Sequence, residues 1–180
     1  MQSAVRLSNA PIEAPARFLA LEAEGAPAMK VSVEARGTAA PFRLSSSNKG
    51  YETWLGSDGV SLTFQDGILV ETRGLGGDVM ASDVTALSRL IETGNTGAAR
   101  RIVDVLTGSD HITSMVFDCR VSDRGSRRLE GLNTHLVAEQ CSGRDIQFTN
   151  LYWRAGGRMV QSRQWAGPYT GMVAIKAVQP

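Results

Sequence analysis

The sequence predicts an all-β protein: an antiparallel meander, closed or folded into a barrel-like or sandwich-like sheet, with one short α-helix. Three observations lead to this prediction. Apolar and polar residues alternate with a period of two over most of the chain, the pattern of strands with one buried face and one wet face. Tight-turn sequences separate these segments at short intervals. Only one segment has the apolar spacing of a helix, so the strands must bury their faces against one another.

The alternating segments of the first half predict a series of hairpins. In the clearest one, residues 60–65 alternate, Asp66-Gly67 interrupts the pattern, and residues 68–72 follow. Asp-Gly between two strands favours a type I′ turn, because both central residues of that turn need positive φ. Asp58-Gly59 is interpreted as a second such turn. The other strands predicted in this half are residues 17–22, 29–36, 41–44 and 51–55.

The predicted helix covers residues 82–93. Its apolar residues recur at helical spacing, Ser82 or Asp83 can cap its N-terminus, and Gly94 would end it. The second half then returns to strands, with Gly, Ser or Asp in the connections. These strands are predicted at residues 102–105, 113–121, 133–141, 145–153, 158–165 and 172–178, with turns at 122–126, 142–144 and 155–157.

Length and charge suit a single domain at residues 16–180, preceded by a flexible segment at residues 1–15. The 19 basic and 18 acidic residues give a net charge of +1, which argues against a duplex nucleic-acid binder. The Arg100-Arg101 and Arg127-Arg128 pairs are interpreted as solvated surface. No apolar run approaches the ~18 residues of a transmembrane helix. The first segment has neither a signal-peptide core nor a cysteine for a lipid, so either the protein is cytosolic or a signal and lipobox were removed.

Cys119 and Cys141 are the only cysteines, and they lie on strands predicted to be consecutive. They could form a disulfide, remain free core thiols, or supply a nucleophile beside His135. A zinc site is disfavoured, because His111 and His135 lack ligand spacing. A turn near Gly125 would bring the cysteines together. A disulfide is therefore favoured, and with it an oxidising compartment.

The candidate binding residues for a glycan or a partner are Trp153, Arg163, Gln164 and Trp165. Aromatic faces stack on sugar rings, and Arg and Gln offer directional hydrogen bonds. Alternatively, the tryptophans fill the barrel and Arg163 makes a structural ion pair. By alternation Trp165 shares a face with Arg163, whereas Trp153 shares one with a leucine. This predicts that Trp165 is accessible and that Trp153 belongs to the core.

No catalytic residue, cofactor or metal site is predicted. Residues 74–77 are glycine-rich but lack the Lys-Ser/Thr of a phosphate loop, so they are interpreted as a turn. Asp110, Asp118 and Glu139 could supply the carboxylate pair of a glycosidase. Solvated carboxylates are the favoured interpretation of all three.

Several short motifs occur in order over residues ~50–180: Trp54, Asp66-Gly67, residues 72–78, Cys119, and residues 139–141, 150–153 and 162–168. Together they resemble the YjbF/GfcB family of capsule- and exopolysaccharide-associated outer-membrane lipoproteins. The resemblance implies a mostly antiparallel β fold and polysaccharide-secretion partners. It supplies no catalytic residues.

Two functions are compatible with this resemblance. The first is a non-catalytic domain, periplasmic or at the outer membrane, that assists capsule or exopolysaccharide secretion or assembly by binding glycan or an export protein. It would need no nucleic acid, and would contact the membrane only through an N-terminal lipid anchor absent from this chain. The second is a polysaccharide-modifying or hydrolytic enzyme that uses Asp or Glu. A facing acidic pair with a raised pKa favours the second, and a shallow aromatic groove or an exposed apolar patch favours the first.

Overall fold

Twelve antiparallel strands dominate the computed structural model, which describes residues 13–109 and 111–178. Most of the N-terminal segment predicted to be flexible lies outside the described residues. The strands are β1 (Ala28–Val33), β2 (Thr38–Asn48), β3 (Tyr51–Gly56), β4 (Ser61–Gln65), β5 (Ile68–Arg73), β6 (Val79–Asp83), β7 (Gly97–Leu106), β8 (Ile112–Leu129), β9 (Leu132–Ser142), β10 (Gln147–Ala155), β11 (Arg158–Trp165) and β12 (Met172–Val178). The helices are α1 (Ala16–Ala23) and α2 (Thr85–Thr93), with a 3₁₀ turn at Glu34–Arg36.

The strands form one sheet in the order β5-β4-β3-β2-β1-β12-β11-β10-β9-β8-β7-β6. The first and last strands of the chain pair with each other, and the two edge strands, β5 and β6, lie side by side. The sheet is therefore a nearly closed barrel, which leaves little free edge. The predicted all-β meander is confirmed.

The interior is divided into two cores by β5. Ile68 and Val70 pack with β6–β11 and α2, whereas Leu69 packs with β1–β4 and β12. The pairing of β4 with β5 also shifts register, between Thr63 and Phe64. All three side chains are buried because β5 runs between the two halves of the barrel rather than along its surface.

Side chains close the seam at β5, where a neighbouring strand would otherwise supply hydrogen bonds. The Leu69 N–H donates to Gln164 Oε1 (2.8 Å), and Gln164 Nε2 donates to the Gly67 carbonyl (2.9 Å). Arg101 Nη2 donates to the Leu69 carbonyl (2.8 Å). Buried backbone groups must be paired, so Gln164 and Arg101 hold the barrel closed.

The strand predicted at residues 17–22 is wrong, because this segment belongs to α1. Phe18 and Leu21, three positions apart, are buried on one side of the helix, while Leu19 is exposed. A segment this short fits either periodicity, and here the i, i+3 pair decides. In the part of the chain that the structure describes, no helix has the length and apolar character needed to span a membrane.

Helix α2 is confirmed but begins at Thr85, because the preceding residues pair with β7 as strand β6. Neither candidate cap stands at the N-cap position, which Val84 occupies, although Asp83 Oδ1 accepts from the Thr85 N–H (3.1 Å). Gly94 ends the helix in the left-handed conformation, as predicted.

The β8–β9 hairpin is longer than predicted. Its turn is Glu130-Gly131, where both residues have positive φ, and not the segment around Gly125. Gly125 instead lies in a bulge between Asp123 and Ser126. Residues 123–135, from the bulge to the facing strand, are called the arm below.

Candidate functional site

A cleft of about 910 Å³ crosses strands β7 to β12 and is called the disulfide cleft. It is lined by Ala98, Asp118, Cys119, Arg120, Gln140, Cys141, Ser142, Gln147, Phe148, Thr149, Arg163, Trp165 and Met172. It combines two of the four predicted binding residues with both cysteines. Its volume lies within the range of small-ligand sites.

Polar side chains cross the cleft in two rows. In the first row, Arg120 on β8 lies opposite Gln140 on β9, and Gln140 lies opposite Thr149 on β10. Asp118, Ser142 and Gln147 form the second row in the same register. These residues alternate with core residues, so they project from the outer face of the barrel. Neighbouring strands are about 4.8 Å apart, so each row is a ladder of closely spaced hydrogen-bonding groups.

Arg163 stands at the edge of these rows and is held by Glu34. Its Nε and Nη2 each lie 2.7 Å from a Glu34 carboxylate oxygen. These hydrogen bonds and the opposite charge lower the pKa of Glu34 and raise the pKa of Arg163. The structural ion pair considered for Arg163 is present, and the guanidinium still lines the cleft.

Cys119 and Cys141 form a disulfide, which confirms the prediction. They are directly opposite in the β8–β9 ladder, with Cα atoms 4.1 Å apart, and both are buried. Glu139 lies close enough to the two sulfurs to suggest a metal site. Because the sulfurs are bonded to each other, they do not offer the thiolates such a site requires, and neither is a free nucleophile.

The disulfide ties β8 to β9 across a loop of 22 residues, so its loss is expected to destabilise the fold by about 3 kcal/mol. The double variant Cys119→Ala/Cys141→Ala should show this in urea titrations. Wild-type protein with reductant is the matched control and should unfold near the variant's midpoint. Equal midpoints for the variant and the oxidised wild type would contradict the prediction.

Trp165 is buried, so the prediction that it is accessible is wrong. Only 6% of it is exposed. Its ring stacks on Phe148, with centroids 4.6 Å apart, and meets Phe117 edge-on. The backbone N–H of Trp165 donates to Asn150 Oδ1 (2.7 Å), because the β10–β11 ladder has already ended at Arg163. Gln164 and Trp165 are consecutive and both buried, so burial does not alternate at this end of β11.

Trp153 and Gln164 also differ from expectation. Trp153 was predicted to belong to the core but is only half-buried. Its side chain is on the same outward-facing side of β10 as those of Thr149 and Leu151. Gln164 is fully buried at the β5 seam, where its amide is occupied. Of the four predicted binding residues, only Arg163 and Trp165 line the cleft. Trp165 is buried and forms part of its floor.

A buried polar network lies on the inner side of the same strands. Glu139 accepts from Arg101 Nη1 (3.2 Å), Asn150 Nδ2 (2.8 Å) and the Tyr152 hydroxyl (2.6 Å). Burial, and then the charge of Glu139, raise the pKa of Tyr152 well above its ordinary value. Tyr152 therefore keeps its proton and donates. Asn150 connects the network to the Trp165 backbone.

The sequence interpretation missed Arg101, which is 1% exposed rather than solvated. Alternation contained the signal, since Arg101 shares its face of β7 with the buried Val103 and Val105. Its neighbour Arg100 is exposed, as predicted.

The proposed carboxylate pair does not assemble from the described residues. Asp118 is exposed on the outer face, 3.5 Å from Arg100. Glu139, expected to be solvated, is fully buried because its partners on the inner face satisfy its charge. The two side chains point to opposite sides of the sheet, and Asp110 lies outside the described residues. His135 is on the arm, with Nε2 2.8 Å from Asp123 Oδ1.

The family model described as group 4 capsule polysaccharide lipoprotein, GfcB/YjbF, matches residues 13–178 of the chain. A similar solved structure is the crystal structure of the hypothetical lipoprotein YmcC from Escherichia coli K12. The two share 20% sequence identity with a TM-score of 0.75, over 92% of this chain and 89% of the other. At this identity the likeness concerns the fold. A search of curated proteins found no match.

Proposed function

The chain belongs to the YjbF family of group 4 capsule polysaccharide lipoproteins, and from this premise we propose that it is a non-catalytic cell-envelope domain assisting capsule or exopolysaccharide secretion or assembly. The proposed role is to bind the polysaccharide in the disulfide cleft, or an export protein beside it. The observation that carries the proposal is the pair of polar rows on the outer face of β8–β10.

The chemistry of the rows suits a glycan. Sugar hydroxyls both donate and accept, and the rows offer an amide at Gln140, hydroxyls at Ser142 and Thr149, and a guanidinium at Arg120. A neutral hydrogen bond contributes about 1 kcal/mol net, so a few of them give weak binding. Weak binding suits a carrier that must release a moving polymer. The buried disulfide and aromatic rings keep the rows in register.

An exposed apolar strip beside the cleft supports the partner-binding part of the proposal. Ile102 and Val116 are directly paired on β7 and β8, and they are 40% and 50% exposed. Ile112, further along β8, is 59% exposed. Ile102 and Val116 thus place two exposed apolar side chains next to each other, and exposed apolar patches are typical of protein interaction sites. An export protein is the proposed occupant.

The proposed location is the periplasmic side of the outer membrane, with a lipid as anchor. The lipoprotein description of the family supports attachment at the envelope. The disulfide supports an oxidising compartment. Fractionation of cells that express the full-length gene tests this location.

The decisive experiment combines gene deletion with a cleft variant. Deletion should reduce surface and secreted polysaccharide, and wild-type protein should restore it. Arg120→Ala/Gln140→Ala removes two exposed side chains from one row, so binding should weaken at least tenfold at about 1–2 kcal/mol per bond, and export should fall while the protein stays folded. Arg89→Ala, on the exposed side of α2, is the matched control.

The outcomes separate the parts of the proposal. Unchanged secretion after deletion would contradict the function itself. Loss on deletion with full rescue by the cleft variant would contradict the cleft and favour the apolar strip. Release of new reducing ends from the polysaccharide by purified protein would instead support the enzymatic alternative.

A further inference from the structure

The arm bends back over the barrel and encloses a groove. Its tip residue Glu130 forms an ion pair with Lys176 on β12. Between the arm and strands β1, β11 and β12 lies a cavity of about 410 Å³, which is called the arm groove. Lys30 and Lys176 line it from the barrel side, and Leu129 and Leu132 line it from the arm.

Two of the chain's three lysines meet in this groove. Lys30 and Lys176 are directly opposite each other in the β1–β12 ladder. Like charges at such positions are destabilising, because their Cβ atoms are only about 5 Å apart. Glu130 compensates Lys176, but Lys30 has no ion pair among the described residues. The groove therefore holds an uncompensated positive charge beside a compensated one.

The arm adds to this charge. Arg124, Arg127 and Arg128 are exposed, and none has a carboxylate partner within the described part of the chain. The only acidic residues of the arm are Asp123, which lies 2.8 Å from His135 Nε2, and Glu130, which pairs with Lys176. In a chain with a net charge of +1, the arm and the groove thus form a local basic surface.

We propose that the arm groove binds an acidic polysaccharide segment, with sugar carboxylates paired to Lys30 and Lys176 and the arm closed over the chain. This inference rests on the proposed function and adds a second site with a defined ligand charge. The leucines of the arm and Val160 offer apolar contact for the C–H faces of sugar rings. Both lysines are exposed and line the same groove opposite the arm, so a linear chain lying in the groove can reach both of them.

Glu130 is the internal competitor in this arrangement. A sugar carboxylate that binds Lys176 must displace the Glu130 carboxylate, so removing that charge should favour the ligand. A purely structural ion pair predicts the opposite, because its loss would loosen the arm. The sign of the Glu130→Gln effect on binding therefore distinguishes the two roles.

The test is calorimetric titration of the purified protein with hexagalacturonate, and with maltohexaose as the neutral chain. Wild type should bind only the acidic chain, more weakly at high salt. Lys30→Gln/Lys176→Gln should weaken binding at least tenfold, Lys30→Arg/Lys176→Arg should preserve it, and Glu130→Gln should tighten it severalfold. Lys49→Gln, at the third lysine, is the matched control.

The inference is overturned if wild type binds neither chain, if it binds phosphatidylglycerol vesicles but not hexagalacturonate, or if Glu130→Gln weakens binding. Binding lost in Arg120→Ala/Gln140→Ala but kept in the lysine-to-glutamine variant also overturns it, while the disulfide cleft stands. The proposed function is tested separately, by measuring surface and secreted polysaccharide after gene deletion.

Discussion

Replacing Arg101 with methionine is expected to lower the free energy of unfolding by about 3–5 kcal/mol, because it leaves the buried Glu139 carboxylate without its counter-charge. The same change removes the donor to the Leu69 carbonyl at the β5 seam and the Nε donor to Ser82 (3.0 Å). Urea titration followed by circular dichroism measures the loss. Hydrogen exchange should also show faster opening of β5.

Arg100→Met is the matched control. Its guanidinium is exposed and faces Asp118 at the surface, so the expected loss is at most about 1 kcal/mol. The double variant Arg101→Met/Glu139→Leu removes both charges and should recover part of the stability. The explanation through an uncompensated charge fails if the double variant is less stable than Arg101→Met alone.

The sequence carried most of the fold because alternation and turn chemistry agree over long stretches. The bounds of β11 and β12 were predicted correctly, since glycines flank β11 on both sides and precede β12. The disagreements arise where two local signals compete. Residues 17–22 fit both periods, and the short edge strand β6 merges with the helical pattern that follows it. The Gly125 segment resembles a turn but forms a bulge.

The candidate site was less predictable, because it depends on contacts between elements that are distant in sequence. The Cys119–Cys141 bond joins consecutive strands, so local reasoning was sufficient. Arg101 and Glu139 lie on β7 and β9, which β8 separates, so their pairing depends on the curvature of the barrel. The arm groove depends on where a hairpin bends, which alternation does not specify.

Trp165→Ala is expected to destabilise the fold by about 3–5 kcal/mol, the usual cost of deleting a buried tryptophan. The side chain packs against both Phe148 and Phe117, so its removal leaves a cavity and removes two aromatic contacts. The cavity lies under the disulfide cleft, since Trp165 lines it together with Phe148. Equilibrium unfolding in urea measures the effect.

Trp153→Ala is the matched control, because it deletes the same side chain from a half-buried position and should cost about 1 kcal/mol. Trp165→Phe should lose less than Trp165→Ala, since a smaller ring still meets Phe148. Polysaccharide binding is then compared under conditions where both variants are folded. Substituting a core residue should lower the free energy of unfolding. It should weaken binding only indirectly, by disturbing the positions of the polar rows of the disulfide cleft. If Trp165→Ala keeps wild-type stability but no longer binds polysaccharide, Trp165 contacts the glycan directly and its assignment to the core is wrong.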